Sequence, residues 1–361
     1  MKVVVLIDQL ICKGGAERVA LALAKAFNAD IRTTTYTPSE VYPEYGTFRI
    51  YLHPLKSVWL FTKLKPLRLK PLNFFWGGVM QTEDMHKFRR MDLSGYDVII
   101  SAGMCTKHVA LQSGNHPCIH YEVGVIEGYR LEWLFKAWTT YIKKFDQEAT
   151  TKVDRILCDS ENIRGKISRY YHLDAEVIYP PVDITRFHFR EAEDYFLSVQ
   201  RISSRKGIET QLEAFRMSPE QKLLIVGSPG KSEIPYFRKL VCLAPQNVTF
   251  LGSLSDDEVS NLYSHAIAVI QTNPDEDFGI VPVEAMASGK PCIAVNAGGF
   301  KETIVHGKTG ILVDPPYSEN LAKVVRNFNS LDFDSNICME RAKFFSEEVF
   351  IGKMRAIVSG L

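Results

Sequence analysis

The sequence predicts an α/β protein built from two parallel-sheet domains, and three observations lead there. Short, nearly continuous apolar runs rich in β-branched residues alternate with longer helical patterns along most of the chain. Strands of that kind, joined by helices, form parallel sheets covered on both faces. At 361 residues the chain is too long for one compact core and fits two domains of ordinary size. A double proline, Pro180-Pro181, separates two series of strand-helix units.

In the first series the apolar runs fall at 3–7, 97–101, 118–121 and 155–159. In the second they fall at 195–199, 222–226, 248–251, 266–271, 292–295 and 310–313. Helical periodicity predicts helices over 17–27, 131–152, 207–215, 256–264, 283–288 and 318–329. In the first of these, Ala16, Val19, Leu23 and Phe27 recur on one face. Ser255 has the character of an N-cap, with Glu258 three residues on as its capping-box partner. The segment VIYPPVDITRF at 177–187 holds the linker, because paired prolines forbid helix and stiffen the crossing. The expected domains are therefore 1–178 and 179–345.

Composition narrows the function. The formal net charge is +1, so no global field argues for nucleic acid. With 46% hydrophobic and 24% charged residues the chain reads as globular rather than disordered. Its seven cysteines form no CxxC pair and are odd in number, which favours a reducing, intracellular setting over a disulfide framework. The opening MKVVVLID reads as a first buried strand and is too short for a signal peptide. No run reaches 18 consecutive apolar residues, so no membrane-spanning helix is expected.

Chemistry concentrates at the turns that follow strands. Glu276 and Glu284 flank Phe278, Gly279 and Pro282, placing two carboxylates around the start of a helix. A helix N-terminus carries free N–H groups and partial positive charge, and paired carboxylates accept hydrogen bonds from sugar and ribose hydroxyls. Pro282 is tolerated in a first turn. After the strand YFLSVQ, the turn Arg201 to Gly207 carries three cations; Arg201 offers a planar fork of donors and Lys206 a mobile point charge, a pair suited to a diphosphate. Gly298 and Gly299 let backbone approach a ligand at another strand-to-helix turn, where Glu302 starts the next helix. Gly14 and Gly15 open the first helix without the GxGxxG spacing of a nicotinamide site, leaving a helix start able to meet a phosphate or a sugar. His120 lies at the carboxyl end of a strand, where ligands bind in parallel sheets, although a lone histidine is more often a structural residue.

Taken jointly, GGAERVA, CIHY, VIYPPVDITRF, QRISSRKGIE, EDFGIVPVEAMASGKPCIAVNAGGFKETI and GKTGILVDP resemble the family-four retaining glycosyltransferases of the GT-B fold, in family order and over most of the chain. The resemblance implies two Rossmann-like domains facing an interdomain cleft, with the acceptor on the N-terminal domain and a nucleotide sugar on the C-terminal one. The last helix, 346–361, would pack back on the N-terminal domain. Arg201 and Lys206 would contact the donor diphosphate, Glu276 the transferred sugar and Glu284 the ribose. The amides of Phe278, Gly279, Gly298 and Gly299 would approach the sugar, Gly14 and Gly15 would close on the donor, and His120 would approach the sugar as a catalytic group. No metal and no cofactor are implied; the donor, GDP- or UDP-linked, is the substrate. The Glu-Asp-Phe-Gly stretch leans toward GDP-mannose. A UDP-sugar transferase, a non-transferase relative such as an epimerase, and a sugar-nucleotide-binding module remain as alternatives.

The chain departs from the family after His120, where Tyr121-Glu122-Val123-Gly124 replaces the usual continuation, and at Asp277, where a glycine is common. Asp275-Glu276-Asp277 and Asp332-Phe333-Asp334 satisfy a metal-binding DXD pattern, but a metal role is not expected of either. Residues 58–78 interleave Lys63, Lys65, Arg68 and Lys70 with Trp59, Phe61, Phe74, Phe75 and Trp76, broken by Pro66 and Pro71. That composition suits contact with an anionic membrane near a lipid-linked acceptor, or a partly buried insertion. The expected location is cytoplasmic, with peripheral contact at the inner membrane face.

Overall fold

Strand β1 (Val3–Leu6) shows how the sheets are built. All four residues are buried, and they alternate between two cores: Val3 and Val5 face one cluster, Val4 and Leu6 the other. A strand covered on both faces needs no polar side. The computed structural model describes residues 1–55, 70–114, 116–124 and 136–361, and the side chains of these except 70–77 and 137.

After β1 come β2 (Gln9–Leu10), helix α1 (Gly15–Phe27), β3 (Asp30–Thr33), β4 (Thr35–Tyr36) and β5 (Ile50–Leu52). Then follow α2 (Lys70–Arg89), β6 (Val98–Ser101), β7 (Cys118–Glu122), α3 (Lys136–Thr150), β8 (Arg155–Cys158), α4 (Glu161–Tyr171) and β9 (Glu176–Val177). Seven of these strands form a parallel sheet in the order β5-β3-β1-β6-β7-β8-β9. The order reverses beside β1, so the loops after β1 and β6 diverge and leave room for a ligand at their carboxyl ends.

The second series comprises β10 (Tyr195–Val199), α5 (Ile208–Arg216), β11 (Lys222–Val226), α6 (Ile234–Leu243), β12 (Val248–Gly252), α7 (Asp256–His265), β13 (Val269–Gln271), α8 (Ile280–Ala287), β14 (Cys292–Val295), α9 (Phe300–Thr303), β15 (Gly310–Val313), α10 (Ser318–Arg326), α11 (Ser335–Lys343) and α12 (Glu347–Ser359). Its sheet is again parallel, in the order β12-β11-β10-β13-β14-β15, with the reversal beside β10. Phe196 and Leu197 of β10 enter opposite cores.

The chain divides into two compact units, Met1–Pro181 with Phe350–Leu361, and Val182–Val349. The first crossing follows the double proline. The return runs through α12, whose Phe350, Met354, Ile357 and Val358 join the core of the first unit, where Phe350 meets Tyr121 edge-on at 5.8 Å.

Sequence periodicity missed β3 and β5, and it missed α2, α4, α6 and α11. Strand β3 reads Asp-Ile-Arg-Thr and owes its state to pairing with β1, not to an apolar run. Helix α4 is set by Ser160, whose hydroxyl accepts from the Ile163 amide at 3.1 Å. Helix α8 starts at Ile280, three residues before the periodicity suggested, with Pro282 in its first turn. Residues 131–135 of the helix expected over 131–152, and residues 58–69 with the side chains of 70–77, lie outside the described residues.

The expected capping box at α7 is present: the Ser255 hydroxyl accepts from the Glu258 amide at 3.3 Å, and the Ser255 amide donates to Glu258 Oε2 at 2.8 Å. Ser255→Ala removes one half of it and is expected to cost the second unit about 1 kcal/mol. Chemical denaturation checks this as a lowered midpoint with unchanged slope.

Candidate functional site

In the second unit, the turn after β10 is fastened to the end of β13. Gly207 has φ +66, and a Cβ there would lie 2.5 Å from the Thr272 carbonyl oxygen, so the two backbones meet directly. The Thr272 hydroxyl lies 3.2 Å from the carbonyl of Lys206 and 2.8 Å from that of Gly207, and it accepts from Gln211 Nε2 at 2.9 Å. Lys206 is thereby presented at the carboxyl edge beside the sheet reversal. Its Nζ donates to Glu276 Oε2 at 2.7 Å, with both side chains about one-fifth exposed. Asn273 Nδ2 donates to the same oxygen at 2.7 Å, and Asn273 Oδ1 accepts from the Asp275 amide at 3.1 Å. The chain thus brings a cation and a carboxylate to one point and fixes the carboxylate from a second side.

Glu284, in the second turn of α8, is anchored separately. Its Oε2 accepts from the hydroxyl of Tyr263 at 2.8 Å, and Tyr263 is wholly buried against Phe187. Arg201 is exposed and forms no ion pair or side-chain hydrogen bond among the described residues. Of the four groups expected at a donor, Lys206 and Glu276 touch, Glu284 is held by Tyr263, and Arg201 is free.

The glycines act on the protein's own backbone. Gly298 has φ +53, and a Cβ there would fall 2.3 Å from the Glu276 carbonyl oxygen. The Gly299 amide donates to that oxygen at 2.8 Å, and a Cβ on Gly299 would fall 2.4 Å from Phe278 Cα. These close approaches lock the Glu276 loop, so the Gly299 amide is spent within the fold and does not face a ligand. Phe278 is 3% exposed and packs edge-on against Phe345 at 5.4 Å, so its ring is structural. Gly279, at φ +91, turns the chain into α8 close against Phe300. Of the two DXD segments, the second is used locally: Asp334 Oδ1 accepts from the Asn336 amide as the α11 cap.

In the first unit, Gly14 caps α1 in extended conformation, and Glu17 folds back over that helix start. A Cβ on Gly14 would lie 2.4 Å from Glu17 Oε2, and Cys12 Sγ donates to Glu17 Oε1 at 3.1 Å. A carboxylate already occupies the neighbourhood of the α1 amides. A phosphate at Gly14 and Gly15 would meet like charge, which leaves a sugar as the compatible ligand there.

His120 ends up buried inside the first unit. It is 0% exposed; Nδ1 pairs with Ser101 Oγ at 2.6 Å and Nε2 with Glu122 Oε2 at 3.0 Å. Both ring nitrogens are committed. Glu122 in turn meets Lys107 Nζ at 3.3 Å, and Lys107 reaches Asp146 Oδ1 and the Tyr171 hydroxyl, each at 3.0 Å. Burial by itself raises the Glu122 carboxyl, but Lys107 and His120 outweigh it and hold the group at about 2. Burial likewise works against the Lys107 charge, and Glu122 and Asp146 overcome it. The unusual Glu122 is thus the counter-ion of a buried lysine. Sequence reasoning missed Lys107, which sits in a segment with no visible pattern, and Asp146, whose helix was expected but whose side-chain partner was not.

Above this network, at the carboxyl ends of β1, β6 and β7, lies a cavity of about 820 Å³ lined by Asp8, Glu17, Asp84 and Glu122 among others. Burial pushes Asp8 up to about 6 against hydrogen bonds from the Cys105 and Met104 amides. Burial, and then the charge of Asp8, push Asp84 to about 7.

Comparison with known proteins places the chain. The family model described as "Glycosyltransferase Family 4" matches residues 13–186, and that described as "Glycosyl transferases group 1" matches 183–343. The human alpha-1,3/1,6-mannosyltransferase ALG2 is 29% identical over 231 residues, covering 54% of this chain and 55% of the relative. The O-antigen chain mannosyltransferase RfbU of Salmonella typhimurium is 29% identical over 197 residues, covering 53% and 55%. The chain therefore spans about half the length of these curated relatives. The crystal structure of Anabaena Alr3699/HepE in complex with UDP-glucose superposes over 100% of both chains, with a TM-score of 0.74 at 17% identity. That likeness establishes the GT-B fold of two Rossmann-like domains.

Lys107→Met would leave Glu122 and Asp146 buried without their counter-ion. It is expected to cost about 3–5 kcal/mol in equilibrium denaturation, against little change for Lys152→Met at the exposed surface. The Asp84 carboxyl titrates higher in the folded chain (about 7) than its ordinary 3.8. Its contribution is therefore fully present below 3.8 and lost as pH rises through 7. Asp84→Asn is expected to narrow the fall in melting temperature between pH 5 and pH 8, read by scanning calorimetry.

Proposed function

Because the chain belongs to the family 4 glycosyltransferases of the group 1 type, we propose that it moves a hexose from a nucleotide sugar to a glycan or lipid-linked acceptor. Mannose from GDP-mannose is the preferred donor reading. The Lys206–Glu276 contact at the sheet reversal carries the proposal, because it sets a diphosphate-binding cation and a hydroxyl-binding carboxylate 2.7 Å apart. A phosphate oxygen taking over Lys206 releases Glu276 Oε2 to accept from a sugar hydroxyl. Glu284, steadied by Tyr263, serves the ribose. Arg201 has no side-chain partner among the described residues to give up, and its planar fork binds the diphosphate.

The reaction we propose retains the anomeric configuration. The bond from the anomeric carbon to the phosphate oxygen breaks through an oxocarbenium-like transition state. The acceptor oxygen bonds to that carbon on the same face, and its proton passes to the departing phosphate. Lys206 and Arg201 stabilise the charge that grows on the leaving group. No protein carboxylate is assigned as a nucleophile, and no metal or other cofactor is given a step. His120 is left out of the chemistry because its ring nitrogens are already engaged.

The mannose reading draws on the Glu-Asp-Phe-Gly stretch and on the two mannosyltransferase relatives. A UDP-linked hexose is the second reading, favoured by the HepE structure that holds UDP-glucose. No helix among the described residues is long and apolar enough to cross a membrane. We place the protein at the cytoplasmic membrane face through 58–78, on composition alone.

A panel of GDP- and UDP-sugars, scored for donor consumption with and without lipid acceptors, tests the proposal. Consumption of one donor that accelerates with acceptor and persists in EDTA is the expected result. Acceptor-independent isomerisation, or binding without turnover, overturns it. Lys206→Ala and Glu276→Ala should each lower kcat by about 10²-fold or more while the melting temperature holds.

A further inference from the structure

The cavity of the first unit has an unusual balance of charge. It sits at the reversal of a parallel sheet, and its volume of about 820 Å³ falls in the range of roughly 300–1,000 Å³ typical of small-molecule sites. Four carboxyl groups line it, from four elements: Asp8 after β1, Glu17 on α1, Asp84 on α2 and Glu122 on β7. No lysine or arginine is among the lining residues. Two cations close to lining residues are engaged within the fold. Lys107 is bound to Glu122 and Asp146, and Lys87 donates to the carbonyls of His53 and Pro54.

One atom in this lining lacks a partner. Asp84 is 4% exposed, and its Oδ1 is buried without a hydrogen bond among the described residues. Leaving a buried acceptor unpaired costs about 1–3 kcal/mol, which a ligand donor would recover. Asp8 differs, because both of its carboxylate oxygens accept from the Cys105 amide, at 3.0 and 3.2 Å. Beside the amides of Gln9 and Gln81, the rest of the wall carries the apolar side chains of Ile11, Met80, Met104 and Val123. Apolar walls beside fixed hydrogen-bond acceptors match a pyranose, whose ring presents a C–H face and a rim of hydroxyl donors.

We propose that Asp84 is the specificity-determining residue of an acceptor subsite in this cavity, one that takes an uncharged sugar and rejects a phosphorylated one. The acceptor role rests on the transferase reading above; the binding preference does not. A hydroxyl donates to Asp84 Oδ1 and satisfies it. A phosphate brings only acceptors and negative charge toward Asp8, Asp84 and Glu17, and no lysine or arginine lines the cavity among the described residues. The carboxyl pair also limits its own charge. Asp8 stands close enough to raise the cost of ionising Asp84, and Glu122 does the same to Asp8.

Saturation-transfer NMR on the full chain tests this with methyl mannoside, methyl glucoside and glucose 6-phosphate at pH 7.5. A neutral glycoside should receive transfer, and glucose 6-phosphate at least about fivefold less. Asp84→Asn should abolish that discrimination, and Gln81→Leu, changing the same wall without the charge, should weaken neutral-sugar binding but keep the preference. Equal transfer to the phosphorylated sugar, no transfer to either glycoside, or unchanged discrimination in a folded Asp84→Asn chain overturns the proposal. Donor consumption by the unaltered chain is scored alongside. A chain that consumes donor but shows no glycoside transfer refutes the subsite and leaves the transferase reading standing. A chain that consumes no donor yet discriminates the sugars refutes the transferase reading and supports the subsite.

Discussion

Lys206 and Glu276 lie 70 positions apart in the chain and 2.7 Å apart in space. Everything that makes the second unit a candidate donor site depends on holding them there. The cation comes from the turn after β10 and the carboxylate from the loop after β13, neighbouring strands in the sheet. Two glycine contacts maintain the arrangement. Gly207 seats the cationic turn on Thr272, and Gly298 with Gly299 clamps the acidic loop from behind. Side chains at these positions would push the loops apart by steric overlap with backbone, which cannot rotate away. The glycines are therefore structural parts of the site that set its dimensions.

The two units use charge differently. In the second, a lysine and an exposed arginine stand at the carboxyl edge, suited to an anionic diphosphate. In the first, the corresponding edge is acidic, and its buried lysine is fully occupied by Glu122, Asp146 and Tyr171. The two sheets share the same strand order over six strands, the first adding β9 at its edge, and both place their functional groups where strand order reverses. The polarity of each edge is decided by a few side chains that the topology leaves unspecified. A buried lysine held by two carboxylates is an expensive way to build a core. It ties β7, α3 and α4 to one another and fixes Glu122 at the cavity floor.

The strand series, the linker at Pro180-Pro181 and the α7 capping box were legible because each depends on local rules. An apolar run of four or five residues has to be covered on both faces, paired prolines exclude helix, and Ser255 with Glu258 three residues later closes its own hydrogen bonds. Strand β3 was not legible, because Asp30–Thr33 has no apolar run and becomes a strand only through pairing with β1. Asn273 and Tyr263 escaped notice for a similar reason: nothing in their neighbourhoods says that their side chains end on Glu276 and Glu284.

By itself, the sequence determined the fold class, the order of the α/β units and the turns that carry Lys206, Glu276 and Glu284, since those follow from periodicity and from residue types at strand ends. Only the tertiary structure decided what each group faces. It turned His120 inward onto Ser101 and Glu122, set Gly298 and Gly299 against backbone, and gathered Asp8 and Asp84 from distant segments into one acidic cavity. The reason is geometric: a strand end specifies a position, whereas the direction and charge environment of its side chain are set by elements that pack against it from elsewhere in the chain.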